Sequence, residues 1–219
     1  VTHYAALDGL YGVEEVLDAY NDGEADFHQI VAEMANIPRS QAKTINLGLF
    51  YGMGKNKLQA ELGVSKENAE DLFRTYHDKV PFVKMLMESV SRRAQEMGHV
   101  RTLLGRRCRF PLWEPNQFGI HKPLKHEEAL LEHGPGIRRA FTYKALNKLI
   151  QGSAADMTKK AMVELYKEGI VPHIQVHDEL DISVDGNADK IKEIMETAVK
   201  LEVDNKVDYE SGPNWGTIK

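Results

Sequence analysis

Directly after Pro38, every fourth residue carries a side chain that could contact a ligand: two cations, then a leucine, then a tyrosine. These residues are Arg39, Lys43, Leu47 and Tyr51. On a helix this spacing gives one slowly rotating stripe of about 18 Å. The two cations lie at the N-terminal end, where the helix dipole also favours an anion, and the aromatic ring lies at the other end. A nucleoside triphosphate has the same polarity, although spacing alone also fits a solvated basic start that runs into a core-facing stripe.

An acidic cluster lies between two segments that alternate apolar and polar residues, 174–176 and 180–182. The residues between them are His177, Asp178 and Glu179. Mg²⁺ prefers carboxylate oxygens and is usually held by one or two of them together with substrate phosphates. A carboxylate at a hairpin tip could therefore hold Mg²⁺ in a cleft, although Asp is also common in ordinary turns.

Asn147 and Gln151 stand four apart in a predicted long helix, 137–167, and Arg139 and Tyr143 extend the same ladder. Amide donors can reach the minor-groove acceptors of DNA, which occupy similar places in every base pair. Such residues could recognise the geometry of a base pair independently of its sequence. The alternative is that they are ordinary polar residues on a helix surface.

Basic side chains concentrate around Gly105, at Arg101, Arg106, Arg107 and Arg109. They suit phosphate contact or a solvated surface. The net charge of -5 argues only weakly against a nucleic-acid partner, because a net charge hides local patches. The histidines lack cysteine partners and a tight ligand motif, which argues against a zinc site.

The composition is that of an ordinary globular protein: 219 residues, 42% hydrophobic and 28% charged. This length fits one large domain or two small ones. No apolar run approaches the roughly 18 residues of a membrane helix, so no membrane partner is expected. The single cysteine, Cys108, excludes an internal disulfide and favours a reducing compartment. Because the first residue is Val1, the chain is expected to be part of a longer protein.

Helix signals dominate the pattern. Helices are predicted after Asp26, which would cap one beginning at Phe27, and over 38–51, 66–79, 81–97, 137–167 and 188–201, the last capped by Asn187. A hairpin or a tight loop is predicted within 99–111, a loop over 113–126, and two short strands over 172–184.

Together these segments resemble the family A DNA polymerases, the DNA polymerase I family. The run Arg39-Ser-Gln-Ala-Lys43-Thr-Ile-Asn-Leu47-Gly-Leu-Phe-Tyr51-Gly52 resembles motif B of that family, and Val176-His177-Asp178-Glu179-Leu180 resembles motif C. Further segments match in the family's order: Asp26 to His28, Thr102 to Arg107, Gln151 to Asp156, and Gly212 to Trp215.

The resemblance implies an α+β fold that is part of a right-hand polymerase: helical fingers and the C-terminal part of a palm with a small antiparallel sheet. The implied division is a palm segment at 1–22, fingers at 23–117, and a palm carrying motif C at 118–219. Motif A, with the other catalytic Asp and the Glu that screens the sugar, is not found. The isolated chain is therefore expected to be inactive and to need the rest of the polymerase chain, the thumb and the motif A palm strands, as its partner.

The resemblance also implies the role of each candidate residue. His28, Arg39 and Lys43 would hold the triphosphate of an incoming dNTP, with Leu47 on the same face and Tyr51 near the templating base. Primer–template DNA would be contacted by Asn147, Gln151, Arg101, Arg106 and Arg107. Asp178 would be the metal-binding catalytic carboxylate, with His177 and Glu179 beside it. With Mg²⁺, the primer 3′-hydroxyl would attack the α-phosphate and pyrophosphate would leave.

Two residues depart from the usual family pattern. Leu47 stands where the family often has Phe or Tyr, as in some bacteriophage members, so a viral source fits. Tyr143 stands where many members have Arg, and Lys144 or Arg139 could supply that charge instead.

Three other functions remain as alternatives: a single-subunit, phage-type RNA polymerase, a non-catalytic DNA-binding remnant or processivity partner, and a plain helical interaction module. The amino-acid sequences of segments 43–46 and 151–156 favour a DNA polymerase over an RNA polymerase. The expected location is the cytoplasm, that of the host for a phage protein.

Overall fold

The computed structural model describes residues 1–22, 28–29, 32–33, 37–51, 53–117, 119–183 and 186–218. The α-helices in this part are α1 Thr2–Leu7, α2 Glu14–Asn21, α3 Arg39–Phe50, α4 Lys55–Leu62, α5 Lys66–Lys79, α6 Pro81–Met97, α7 His126–His133, α8 Ala145–Lys167 and α9 Ala188–Thr197. The strands are β1 His99–Arg101, β2 Arg107–Arg109, β3 Trp113–Pro115, β4 Ile137–Arg139, β5 Ile174–Val176 and β6 Glu179–Asp181. Short 3₁₀ turns cover Thr142–Lys144 and Trp215–Thr217.

The described strands form antiparallel pairs, β1 with β2, β3 with β4 and β5 with β6. This mixture of helices and small antiparallel sheets confirms the predicted α+β class. Within the described ranges, no helix combines the length and the apolar composition needed to cross a membrane.

The ends of α5 and α6 follow the sequence signals. Ser65 caps α5, because its Oγ accepts a hydrogen bond from the Asn68 N–H at 3.2 Å. Pro81 occupies the first turn of α6, and Gly98 ends that helix in the left-handed conformation with φ 72°. The predicted helix cap at Asp26 lies outside the described residues, since Asp26 and Phe27 are not among them.

The predicted helix 137–167 and the predicted loop 113–126 are both partly wrong. Ile137–Arg139 forms strand β4, which pairs with Trp113–Pro115, and α8 begins only at Ala145. The segment 126–133, which the sequence pattern did not predict as helical, forms α7. Three residues are too few for periodicity to identify, so the pairing partner decides that they are a strand.

The predicted last helix is too long at its C-terminal end. Helix α9 stops at Thr197, so Leu201 does not belong to its buried face. The chain turns back there, since Asn205 donates to the Met195 carbonyl at 3.2 Å and the Val207 N–H donates to Glu196 at 3.0 Å. Asn187 stands at the N-cap as predicted, but its side chain makes no cap hydrogen bond.

Two groups of buried side chains hold the fold together, and α6 contributes to both. One group gathers α3, α4, α5 and the start of α6, with Ile45, Leu49, Leu58, Tyr76, Phe82 and Val83 among its members. The other packs the later turns of α6 against β1, β2 and α8, with Leu86, Val90, Val100, Phe110, Leu146 and Leu149 among its members. Helix α6 thus joins the N-terminal helices to α8, and the proposed boundaries at 22 and 117 stay a prediction.

The β1–β2 hairpin rests on α8 at Gly152. A Cβ at that position would lie 2.8 Å from Thr102 Cγ2 and 3.3 Å from Arg106 Nη2, so only glycine allows the approach. The next residue, Ser153, accepts from the Leu103 N–H at 3.2 Å and bonds the Tyr4 hydroxyl at 2.7 Å. The β1–β2 hairpin therefore packs on α8 directly after Gln151.

Two partly buried histidines predict that acid weakens the fold. Burial lowers the pKa of His3, with Glu202 opposing the effect, and burial together with Lys84 lowers the pKa of His77. Each folded pKa lies below the ordinary value of 6.5, so the unfolded chain binds more protons in that interval. The contribution of these two histidines to stability is therefore full above about pH 6.5 and falls as the pH drops towards the lowered values.

Urea midpoints measured at about pH 7.5 and about pH 5.5 check this expectation. The double variant His3→Gln/His77→Gln is expected to lose much of the acid sensitivity. His173→Gln, at an exposed histidine, is expected to keep it. An unchanged pH dependence in the double variant would contradict the assignment to His3 and His77.

Candidate functional site

The charged and aromatic stripe lies on the solvent face of α3. Arg39 and Lys43 are exposed, and Leu47 is 42% exposed. The opposite face of the same helix is buried and carries Ala42, Ile45, Asn46 and Leu49. The stripe is therefore not core-facing, and its exposed cations and leucine form a surface that a ligand can reach.

The C-terminal end of α3 is joined to α8. Gln151 donates through Nε2 to the Tyr51 hydroxyl at 2.8 Å, although the two residues are 100 positions apart. Tyr51 is half-buried at the C-cap, and Gln151 is exposed. The fold thus brings together one residue from the predicted nucleotide-binding set and one from the predicted DNA-binding set.

His28 is attached to the buried face of α3. Its Nδ1 lies 3.3 Å from Nδ2 of Asn46, a residue with no solvent exposure. The Asn46 side-chain oxygen, Oδ1, accepts a hydrogen bond from the Tyr76 hydroxyl at 3.0 Å. The third residue of the predicted triphosphate set therefore has its ring anchored to the helix that carries the other two.

The motif C segment forms the predicted hairpin. Pairing of Val176 with Glu179 leaves His177 and Asp178 as its two-residue turn. His177 has φ 53°, the left-handed conformation that such turns require, and the Gln175 amide donates to its carbonyl. Both turn residues are exposed, so the hairpin presents the Asp178 carboxylate to its surroundings.

Asp178 suits Mg²⁺ only in part. Nothing in the described residues hydrogen-bonds or ion-pairs with its carboxylate, and a hard oxygen donor in that state can take a cation. Among the residues that the structure describes, however, no three His, Cys, Asp or Glu side chains converge as a metal site. Glu179 accepts from the Trp215 indole N–H at 3.2 Å, which fixes it beside the turn.

The predicted DNA-contacting arginines differ in their partners. Arg106 donates to Asp156 Oδ1 at 2.9 Å and to the Gly152 carbonyl at 2.8 Å, so it ties the hairpin to α8. Arg101 makes a longer contact, 3.3 Å, with the Gly105 carbonyl inside its own hairpin. Arg107 is exposed on β2, and its side chain makes no hydrogen bond or ion pair with the described residues.

The amide ladder is shorter than the sequence suggested. Asn147 and Gln151 do lie on α8, but Tyr143 is in a 3₁₀ turn and Arg139 is in β4. Arg139 donates to the carbonyls of Gln95 and Phe110 and stacks on Trp113 at 4.5 Å. Of the two candidate replacements for the family's Arg, Arg139 is thus engaged inside the fold, and Lys144 stays exposed before α8.

The family model described as DNA polymerase family A matches residues 9–217. This chain belongs to DNA polymerase family A. A DNA-directed DNA polymerase of Pseudomonas phage M6 is 36% identical over 99% of the chain and 34% of its own length. DNA polymerase I of Geobacillus stearothermophilus is 32% identical over the whole chain and 24% of its own length.

The fold of this family A polymerase chain is similar to the POL domain of Pol1 from M. smegmatis, solved in complex with DNA primer-template and dNTP. That likeness has a TM-score of 0.65 and 26% sequence identity, and it covers 86% of this chain and 34% of the other. The chain spans between about a quarter and a third of the length of these relatives.

Sequence reasoning missed the residues that support the site of this polymerase chain. Asn46, Tyr76 and Asp156 are buried polar groups, and none was proposed as a site residue. For Asn46 a signal existed, since it is an amide on a helix face otherwise formed by Ala42, Ile45 and Leu49. A polar residue in such a stripe indicates a buried hydrogen bond but does not name its partner.

Proposed function

We propose that this chain forms the nucleotide-binding and DNA-binding part of a template-directed DNA polymerase that adds dNTPs to a primer 3′-hydroxyl. The observation that carries the proposal is the Tyr51–Gln151 hydrogen bond, because it joins the helix with the triphosphate-like stripe to the helix with the amide pair. Membership of DNA polymerase family A supports the same reaction.

The exposed face of α3 is the proposed nucleotide site. Arg39 and Lys43 would contact the triphosphate near the helix N-terminus, where the backbone N–H groups and the dipole add positive potential. His28 would add a ring N–H donor. Leu47 and Tyr51 would lie against the base and the templating position, further along the same face.

Asp178 is the proposed ligand of Mg²⁺, with His177 and Glu179 beside it. When bound, the metal would stabilise the charge that develops on the transferring phosphoryl group. The contribution of this chain is to hold the carboxylate at the apex of a two-residue turn. The Glu179–Trp215 hydrogen bond supports that turn from the C-terminal side.

The DNA surface would be formed by Asn147, Gln151, Arg101 and Arg107. The two amides suit minor-groove acceptors, and the two arginines suit backbone phosphates. Arg106 would act on DNA indirectly, by holding the hairpin that carries its neighbours. This assignment predicts primer–template affinity that falls as the salt concentration rises.

We further propose that another part of the polymerase covers exposed apolar side chains of α8 and of the motif C hairpin. Val163 and Tyr166 of α8 are exposed and, with Val171, line a cleft of about 420 Å³. Ile174 and Val176 of β5 are also more than a third exposed. Exposed apolar side chains of this kind, and a hairpin whose outer edges pair with no described strand, suit strands of a larger palm sheet. The proposed location of the whole protein is the cytoplasm.

Primer extension by the full gene product tests the proposal. The full gene product is the protein encoded by the complete open reading frame that contains the chain. The assay offers a DNA primer–template, Mg²⁺, and either dNTPs or NTPs. Extension with dNTPs supports a DNA polymerase, and a preference for NTPs would favour an RNA polymerase. Salt-sensitive DNA binding without any extension would leave a non-catalytic remnant.

A further inference from the structure

A line of hydrogen bonds runs from the core of the N-terminal helices to His28. Tyr76 of α5 and Asn46 of α3 have no solvent exposure. The Tyr76 hydroxyl donates to Asn46 Oδ1 at 3.0 Å, and Asn46 Nδ2 lies 3.3 Å from His28 Nδ1. A buried amide is costly unless its donor and acceptor are both satisfied, and here both ends of the amide are used.

The direction of these bonds fixes the state of the histidine ring. Because the Tyr76 hydroxyl occupies Oδ1, the amide turns its NH₂ group towards His28. An amide NH₂ only donates, so in this orientation His28 Nδ1 accepts, and a ring with one proton carries that proton on Nε2. A proton on Nδ1 would place two donors against each other at 3.3 Å.

We propose that Asn46 and Tyr76 are positioning residues for the nucleotide site: they hold His28 as the Nε2–H tautomer, so that its ring presents a directed N–H donor to a phosphate oxygen of the incoming nucleotide. The proposal rests on the proposed function, from which it takes the phosphate-binding role of His28. Neither positioning residue touches the nucleotide.

This arrangement gives the site a donor of a different kind from its two cations. Arg39 and Lys43 are exposed and carry full positive charges, so they supply the electrostatic attraction for the triphosphate. The His28 ring is short and anchored through Asn46 to a buried tyrosine, which gives it a defined direction. A hydrogen bond to one ring nitrogen of a histidine commonly sets the tautomer and so orients the N–H of the other ring nitrogen.

The first experiment reads the tautomer directly. Proton–nitrogen correlation spectra of the chain with ¹⁵N-labelled histidine rings would be recorded, and His28 would be assigned by its loss in His28→Gln. The unmodified chain is expected to give the Nε2–H pattern. Asn46→Asp is expected to move the proton to Nδ1, since a carboxylate can only accept.

Tyr76→Phe removes the hydroxyl that donates to Asn46 Oδ1, so it is expected to lower the share of the Nε2–H tautomer and to add the Nδ1–H tautomer. Tyr4→Phe is the matched control, because it removes a hydroxyl that bonds Ser153 and leaves the Asn46 contacts in place. His28 should keep the Nε2–H pattern in that variant. An Nδ1–H pattern in the unmodified chain, or a His28 spectrum indifferent to Asn46→Asp, would overturn the proposal.

The second experiment asks whether the tautomer matters for the nucleotide. Titration with Mg²⁺-dCTP is expected to shift the His28 Nε2–H signal, and Tyr76→Phe should weaken the apparent affinity by about threefold to tenfold, the equivalent of one hydrogen bond. In the full gene product the same variant should raise the KM for dNTPs by a similar factor while kcat changes little.

The outcomes separate the two claims. A changed tautomer with unchanged dNTP affinity would overturn the positioning role, while primer extension by the unmodified enzyme would leave the proposed function standing. A second outcome is that the unmodified enzyme fails to extend primers, while the His28 signal still changes in the Asn46 and Tyr76 variants and on adding dCTP. That outcome would contradict the proposed function and support the positioning role of Asn46 and Tyr76.

Discussion

Replacing Asp178 by Asn is expected to lower the rate of primer extension by the full gene product roughly a thousandfold, the equivalent of about 4 kcal/mol of transition-state stabilisation. The carboxylate lies at the exposed apex of the β5–β6 turn, and the described residues offer it no hydrogen-bond or ion-pair partner. An amide of the same size keeps the turn but loses the charge that would hold Mg²⁺. Single-turnover extension at saturating Mg²⁺ and dNTP measures the effect.

Asp181→Asn is the matched control for this prediction. Asp181 lies on β6 of the same hairpin, outside the turn, and pairs with Ile174 through the backbone. Its variant should extend primers at nearly the normal rate. Primer–template binding by Asp178→Asn should also persist, since the DNA contacts are elsewhere. Normal extension by Asp178→Asn would place the metal site on other residues.

Replacing Arg106 by Ala is expected to lower the free energy of unfolding by about 2 kcal/mol. Its guanidinium bonds both Asp156 and the Gly152 carbonyl, and the Asp156 side chain is only 7% exposed. Removing it leaves a buried carboxylate without its cation, whereas the half-exposed position of Arg106 keeps the loss below that of a fully buried pair. Urea unfolding of the chain provides the measurement.

Arg107→Ala provides the comparison, because the neighbouring arginine is exposed on β2. Its unfolding free energy should change by less than about 0.5 kcal/mol. Its affinity for primer–template should fall, with a shallower dependence on salt concentration. Equal stability losses in the two variants would contradict the structural role given to Arg106.

The sequence by itself determined the features that arise from local chemistry. The spacing of Arg39, Lys43 and Leu47 placed them on one helix face, because helical geometry follows from residue intervals. Ser65 and Gly98 marked helix ends, since caps depend on neighbours in the chain. The alternation around His177 and Asp178 gave the hairpin, because a two-residue turn specifies its own pairing. The family motifs added the order of these pieces.

Tertiary structure alone decided the contacts that join distant segments. Ile137–Arg139 became a strand because Trp113–Pro115 lies opposite it, and Arg139 turned inward because carbonyls of Gln95 and Phe110 meet it there. The same holds for Tyr51 with Gln151, which are 100 residues apart. Residue types and spacing report what a side chain can bond. Which partner it meets depends on packing that brings remote segments within hydrogen-bond distance, and no local pattern encodes that distance.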